Sequence, residues 1–335
     1  MDRTLVALVT DRGFLAPSIN ACLQLVDQRI PELADIVVYL VDVDPETVQQ
    51  LRDHFSPRGI QFESLESRSF IPPSRRRFES RHYPVSALAR LALTEIFPPR
   101  YDNVVYLDGD IQIVGDVRPL ITYKAPEGMI AAARDTFWLQ IVLDPGHWSP
   151  NYIKELGILA SREVSADGYF NSGVLAFRRE TWREIAPQAL DFYFDHPPAC
   201  RFCDQSALNA VCAGRVVHLS PAYNFQNIYH DIRAHESYAP RIIHFTGPRK
   251  PWKDYGPPWN GRFIPQYARL LEAHPFLRDG LEPPRSPNLA RLVGSRIGRV
   301  SPYLLHPRPT LRRRRLRRLS RELFLNYVSQ TQFPF

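Results

Sequence analysis

Short apolar runs punctuate the first two thirds of the chain, and their spacing predicts its architecture. Leu5-Val6-Ala7-Leu8-Val9, Asp35 to Val41, Ile60 to Leu65 and Asn103-Val104-Val105-Tyr106-Leu107 are brief, and most are rich in β-branched residues, which fits buried strands better than helices. Between them lie stretches with helical apolar spacing. One runs from about Pro17 to Arg29, with proline in its first turn; another opens at Asp44-Pro45-Glu46, with Asp44 as N-cap and Pro45 at the first helical position. A third, SALARLALTEI over Ser86 to Ile96, stops before Pro98-Pro99. Gly128 to Ala133, Val174 to Phe177, Arg215 to Leu219 and Ile242-Ile243-His244 read as further strands, with helices over roughly Thr181 to Phe194 and from Asp204 onward. Ser67 to Arg81 is polar and arginine-rich and reads as a mobile loop. Strands alternating with helices predict an α/β fold, a mostly parallel central sheet flanked by helices on both faces.

At 335 residues, 44% of them hydrophobic, the chain can bury one large core or two modest ones. No apolar run reaches the ~18 residues of a membrane-spanning helix. The N-terminus, MDRTLVALVTDRGF, enters a strand directly rather than showing the long apolar stretch of a secretory signal. Cys22, Cys200, Cys203 and Cys212 are too few and too irregular for a disulfide framework, so cytosolic thiols are the simplest account. Cys200-Arg-Phe-Cys203 is half of a zinc motif without a second pair, which favours free thiols. The net charge of +7 hides an uneven distribution: twelve arginines and no acids lie between Arg285 and Arg321, so that segment carries +12 and the remainder −5. An acidic-to-neutral body over residues 1–265 with a Pro/Arg-rich extension over 266–335 is the predicted organisation.

The stretch from Tyr101 to Leu120 concentrates the chemistry. Its strand runs straight into Asp108-Gly109-Asp110, two carboxylates at a strand end with no side chain between them. Hard divalent cations take oxygen ligands and commonly bind one or two carboxylates together with substrate phosphates. Ligands of open α/β sheets gather beyond the carboxyl ends of strands. A metal site that holds a diphosphate is one reading; a two-residue Asp-Gly hairpin turn is the other. Farther on, His244 ends an apolar run and leads into a loop with Gly247, Lys250 and Trp252, able to bring a cation to a phosphate. Asp11 closes the first strand, where a base or ribose would meet it, or serves as a turn carboxylate. Arg90 lies on the helix before the central strand, where a surface ion pair is the ordinary expectation. Asp204, taken alone, is a helix N-cap.

Four motifs in register, LDGD, FNSGV, DQSALN and HFTGPRKPW, resemble the retaining glycosyltransferases of family 8, the group of bacterial lipopolysaccharide α-galactosyltransferases and glycogenin. The resemblance spans about residues 5–259. It implies a GT-A nucleotide-diphospho-sugar transferase fold and Mn²⁺-dependent (or Mg²⁺-dependent) transfer of galactose or glucose from UDP-sugar to a saccharide or glycolipid acceptor. By position, Asp108, Asp110 and His244 match the metal ligands. Asp11, Arg90, Asp108, Asn171, Gly247 and Lys250 fall to donor binding, and Asp135, Asp204 and Gln205 to catalysis around the donor sugar. Arg12 and Gly13 depart from the commoner acid and asparagine, which leaves the base contacts open. Gln205 stands at the nucleophile-like position, and an amide is a poor nucleophile. The resemblance therefore favours attack from the face that UDP leaves, with Asp204 either stabilising the cationic sugar or capping its helix.

The tail, LRRRRLRRLSRELFL from Leu311, can form an amphipathic helix with a cationic face suited to anionic lipid, which predicts a cytoplasmic protein peripheral to the inner face of a membrane. A solvated charge run is the alternative, and nothing else in the chain points to nucleic acid. The loop from Phe137 to Ser165 and the tail are expected to shape the acceptor site. Two other functions remain: a UDP-sugar-binding protein without turnover, and a metal-dependent phosphatase of the haloacid dehalogenase type, in which a threonine is expected where Gln112 stands.

Overall fold

The computed structural model describes residues 3–71, 86–93, 97–136, 138–139, 164–165, 168–247, 250–256, 258–279, 281 and 307–330, with side chains in the last helix over 318–329. Ten strands are present: β1 (Arg3–Thr10), β2 (Ala34–Val41), β3 (Ile60–Leu65), β4 (Tyr101–Asp108), β5 (Ile111–Ile113), β6 (Ile130–Arg134), β7 (Phe170–Arg178), β8 (Val216–His218), β9 (Phe225–Gln226) and β10 (Ile242–His244), among the described residues. The helices are α1 (Leu15–Asp27), α2 (Pro45–Phe55), α3 (Ser67–Phe70), α4 (Ser86–Ala92), α5 (Arg118–Ile121), α6 (Arg179–Asp195), α7 (Asp204–Val211), α8 (Asn227–Asp231), α9 (Ile264–Ala273) and α10 (Pro307–Gln330).

Seven strands form one sheet in the order β3-β2-β1-β4-β7-β6-β8. The pairings β1–β2, β2–β3, β1–β4 and β6–β8 are parallel, whereas β7 runs antiparallel to both β4 and β6. The mostly parallel sheet foreseen from the sequence is thus present, with one strand reversed. Both faces are covered, and the period of two shows it: Leu5, Ala7 and Val9 of β1 join one apolar cluster, Val6 and Leu8 the other. Asp44 caps α2 by accepting from the Thr47 amide, with Pro45 at its start. The first helix begins at Leu15, two residues before Pro17, because its first turn tolerates proline. The Ser67 to Arg81 segment opens as the short helix α3 rather than a loop; its part from 72 onward lies outside the described residues, as does most of the Phe137 to Ser165 loop.

The departure that matters most follows β4. The chain turns at Gly109-Asp110, but β5 does not fold back on β4; it pairs antiparallel with β10 in a second sheet of order β5-β10-β9. The hairpin reading of Asp108-Gly109 is therefore incorrect. Gly109 permits the turn because a Cβ there would lie 2.3 Å from Ser18 Oγ of α1. Beyond the sheets, α9 places Leu270 in the core shared with β1 and α1, and α10 buries Phe324 and Tyr327 beside Trp138, Phe225 and Tyr229. All four cysteines are free and buried.

Candidate active site

The seam between the two sheets assembles the site. Val9 of β1 lies in register with Asp108 of β4, so Asp11 and Asp108 share the carboxyl edge of the large sheet. In the small sheet His244 pairs with Ile111, and the Phe245 amide donates to the Asp110 carbonyl at 2.9 Å. Two backbone links therefore bring an imidazole from 134 residues downstream to the acidic pair. One ligand atom from each of Asp108, Asp110 and His244 lies within 4.8 Å of the others, the only such group of three among the described residues.

Each carboxylate is divided between an outer and an inner oxygen. Asp108 Oδ1 accepts from Arg90 at 2.8 Å and from the Tyr106 hydroxyl at 2.9 Å, while its Oδ2 faces His244 Nε2 at 3.6 Å. Asp110 Oδ2 accepts from Lys250 Nζ at 2.5 Å, and its Oδ1 faces the same Nε2 at 3.3 Å. Behind the ring, His244 Nδ1 meets Asn224 Oδ1 at 2.9 Å. Because that amide oxygen can only accept, Nδ1 carries the proton and Nε2 presents a lone pair to the cleft. Gly173 closes the floor: a Cβ there would sit 2.2 Å from His244 Cε1 and 2.8 Å from Asp108 Oδ2. Burial pushes the Asp110 carboxyl up, but the Lys250 ammonium against its Oδ2 outweighs burial and holds it well below the usual range.

Arg90 is buried and joins this half of the site to the next. It pairs with Asp204 Oδ2 at 3.0 Å, donates to the Ser172 carbonyl at 2.8 Å and lies over the Tyr106 ring at 4.5 Å. The surface ion pair expected for it is thus a buried one. Asp204 is the first residue of α7, where Cys203 takes the cap position, so its carboxylate faces Arg90 instead of capping. Burial raises that carboxyl to about 6, Arg90 opposing and the Asp108 charge adding to the rise.

Beyond Arg90 the site becomes an amide network. Gln205 accepts through Oε1 from Asn171 at 3.0 Å and from the Ser172 amide at 3.1 Å, and donates through Nε2 to Asp135 Oδ2 at 3.1 Å. Asn171 also donates to Asp135 at 2.9 Å and accepts from Asn224 at 2.8 Å. Every polar atom of the Gln205 side chain is thereby committed to orienting its neighbours. Asp11 accepts from the Gly13 amide at 2.9 Å and from Ser86 Oγ at 2.6 Å. Gly247, with φ 80°, turns the chain three residues past His244, and Lys250 returns to donate to the Phe245 carbonyl at 2.7 Å.

Sequence reasoning did not single out Asn224, Gly173, Ser172 or Tyr106. Asn224 had a faint signal, an uncharged polar residue amid the aromatic run PAYNFQNIY. Ser172 and Gly173 stood inside the FNSGV motif with no role assigned to them, and Tyr106 inside the apolar run of β4, since their roles depend on which strands become neighbours.

The sequence profile described as glycosyl transferase family 8 matches residues 6–256. The lipopolysaccharide glucosyltransferase WaaO of Escherichia coli K12 is 23% identical over 272 residues, covering 76% of this chain and 74% of its own. General stress protein A of Bacillus subtilis is 23% identical over 241 residues, 65% of this chain and 77% of its own. Among solved structures, galactosyltransferase LgtC in complex with donor and acceptor sugar analogs superposes with a TM-score of 0.60 at 20% identity, over 86% of this chain and 99% of that one. The likeness extends to the fold, a GT-A arrangement of mixed sheet and flanking helices. With its profile match running through both sheets and all three residues of the acidic-imidazole cluster, the chain belongs to glycosyl transferase family 8.

Proposed function

We propose that the chain is a UDP-sugar-dependent, retaining hexosyltransferase that moves galactose or glucose onto a saccharide or glycolipid acceptor during synthesis of lipopolysaccharide or another surface glycan. The observation that carries this reading is the convergence of Asp108 Oδ2, Asp110 Oδ1 and His244 Nε2 on one small volume. Two oxygens and an imidazole nitrogen suit Mn²⁺, with Mg²⁺ the harder alternative. Gly173 keeps that volume open, since any side chain there would fill it.

When bound, the ion supplies a Lewis acid for the charge that gathers on the departing diphosphate. Lys250, held beside Asp110, offers that diphosphate a second cation. Asp11 binds the uridine portion; Arg90, Asn171 and Gly247 line the path of the donor. Asp135, Asn171 and Gln205 fix the sugar's orientation through their shared network. Gln205 is an amide with both ends engaged, so a covalent glycosyl-enzyme through it is disfavoured. The bond from the anomeric carbon to the UDP oxygen breaks, an acceptor hydroxyl oxygen bonds to that carbon on the same face, and the departing phosphate takes the hydroxyl proton. Asp204, ionised, faces the oxocarbenium-like sugar.

Release of UDP from a panel of UDP-sugars, with Mn²⁺ and with excess chelator, tests the reading. A hexose donor consumed only with the metal, faster with acceptor, supports it; full activity in chelator, or none with any donor, overturns it. Binding without turnover would leave UDP unreleased. For the phosphatase reading, Gln112 is buried and bonded to Asn20 and Gln266 rather than to the acidic pair.

A membrane contact through α10 is part of the same proposal. Among the described residues no helix is long and apolar enough to cross a membrane, whereas Arg312 to Arg315, Arg317 and Arg318 crowd one helix. The chain should pellet with vesicles containing anionic lipid, and replacing those arginines by glutamine should leave it in the supernatant. Equal pelleting removes the contact.

A further inference from the structure

The C-terminal helix ends against the residues that hold Asp135. Ser320, Phe324 and Tyr327 of α10 are buried at i, i+4 and i+7, one face of the helix. The Phe324 ring lies 4.5 Å from that of Tyr229 and 6.0 Å from that of Phe225, and Tyr327 meets Trp138 at 5.5 Å. Arg134, the last residue of β6, lays its guanidinium over the Tyr327 ring at 4.6 Å. Its Nε is buried without a hydrogen-bond partner among the described residues, so the ring face is what compensates that part of the cation. From the other side, Gln226 donates to the Arg134 carbonyl at 3.0 Å and accepts from the Thr136 amide at 3.2 Å and hydroxyl at 3.1 Å. Asp135 is the residue between these two clamped neighbours. Arg321 locks the helix in place, pairing with Glu236 at 3.2 Å.

We propose that α10 is a positioning element of the transfer site: Tyr327 and Phe324 hold the Arg134–Thr136 segment so that Asp135 keeps its geometry toward Asn171 and Gln205. The inference rests on the transferase reading for its kinetic consequence only. The helix that carries the arginine cluster is then also the outer support of the residues facing the donor sugar. Displacing a site group by about 1 Å lowers rates by about a hundredfold, so a remote contact of this kind is able to set kcat.

The test uses the full chain with Tyr327→Phe and Tyr327→Leu. Phenylalanine keeps a ring over Arg134; leucine does not. Tyr327→Leu should lower kcat about tenfold or more, leave Mn²⁺ affinity and donor KM within about twofold, and speed hydrogen exchange at the Asp135 and Thr136 amides, with Tyr327→Phe close to the parent in all of these. Wild-type kcat and wild-type exchange in Tyr327→Leu would overturn the proposal. Should Tyr327→Leu fail to fold, Phe324→Leu, which removes the ring packed on Phe225 and Tyr229, should lower kcat and speed the same exchange, and wild-type values of both would overturn the proposal. If the parent transfers no sugar, the exchange measurement still decides the support role while the transferase reading falls by itself.

Discussion

Two halves of one cleft are built by opposite means. The half around Asp108, Asp110, His244 and Lys250 is made of charges, with each carboxylate steered by a cation so that its inner oxygen faces the imidazole. The half around Asp135, Asn171, Gln205 and Asn224 consists mostly of neutral amides that each make two to four bonds. Charge-assisted pairs are strong but each depends on one partner, whereas a network shares the load. The first half should therefore fail abruptly when one charge is lost, and the second should lose stability and alignment by degrees.

The largest effect is expected where a ligand charge goes: Asp110→Asn should lower metal-dependent transfer by about a thousandfold, read as kcat, and would leave Lys250 without its carboxylate. Next, Gly173→Ala pushes a methyl group against the His244 ring and Asp108 Oδ2 and should weaken Mn²⁺ binding by about a hundredfold, read by titration, while removing no charge. In the amide half, Gln205→Leu strands Asn171, the Ser172 amide and Asp135. It should destabilise the fold by about 2 kcal/mol, seen as a lower Tm, with Mn²⁺ affinity unchanged. Arg90→Lys probes the join between the halves. A single ammonium cannot reach Asp108, Asp204 and Ser172 as the guanidinium fork does, so kcat should fall about tenfold, with donor and metal affinity both altered.

The smallest effect is the pH response of Asp204. Its folded carboxyl, raised by burial to about 6 from an ordinary 3.8, favours the protonated form. The sign follows from linkage: this group's stabilisation is fully present below its unfolded value and is lost as pH rises through about 6. The ionised form is the one suited to face a cationic sugar, so kcat should rise across the same window while Tm falls. Asp204→Asn should remove both slopes.

The charged half was far more legible in the sequence than the neutral half. Asp108-Gly109-Asp110 follows an unmistakable apolar strand, and His244 ends another, so type and place were readable together. What the sequence did not disclose was that β5 leaves the large sheet; an Asp-Gly turn looks the same whether the next strand folds back or pairs elsewhere. Strand direction was equally hidden, because the buried run Val174 to Phe177 has the same pattern in either sense, and β7 proved antiparallel. Asn224 and Gly173 matter only through what the two sheets bring beside them, His244 in both cases. Asp204 shows the same limit: a carboxylate at a helix start looks like a cap until a buried arginine from another helix turns out to face it.

The most direct test of the shared-ion claim is a titration of Mn²⁺ into the protein with UDP present, followed by the electron paramagnetic resonance signal of the free ion. The account predicts one ion taken up per chain, and uptake lost in both Asp110→Asn and His244→Ala although Asp110 lies in the turn after β4 and His244 at the end of β10. Undiminished uptake in either variant would contradict it.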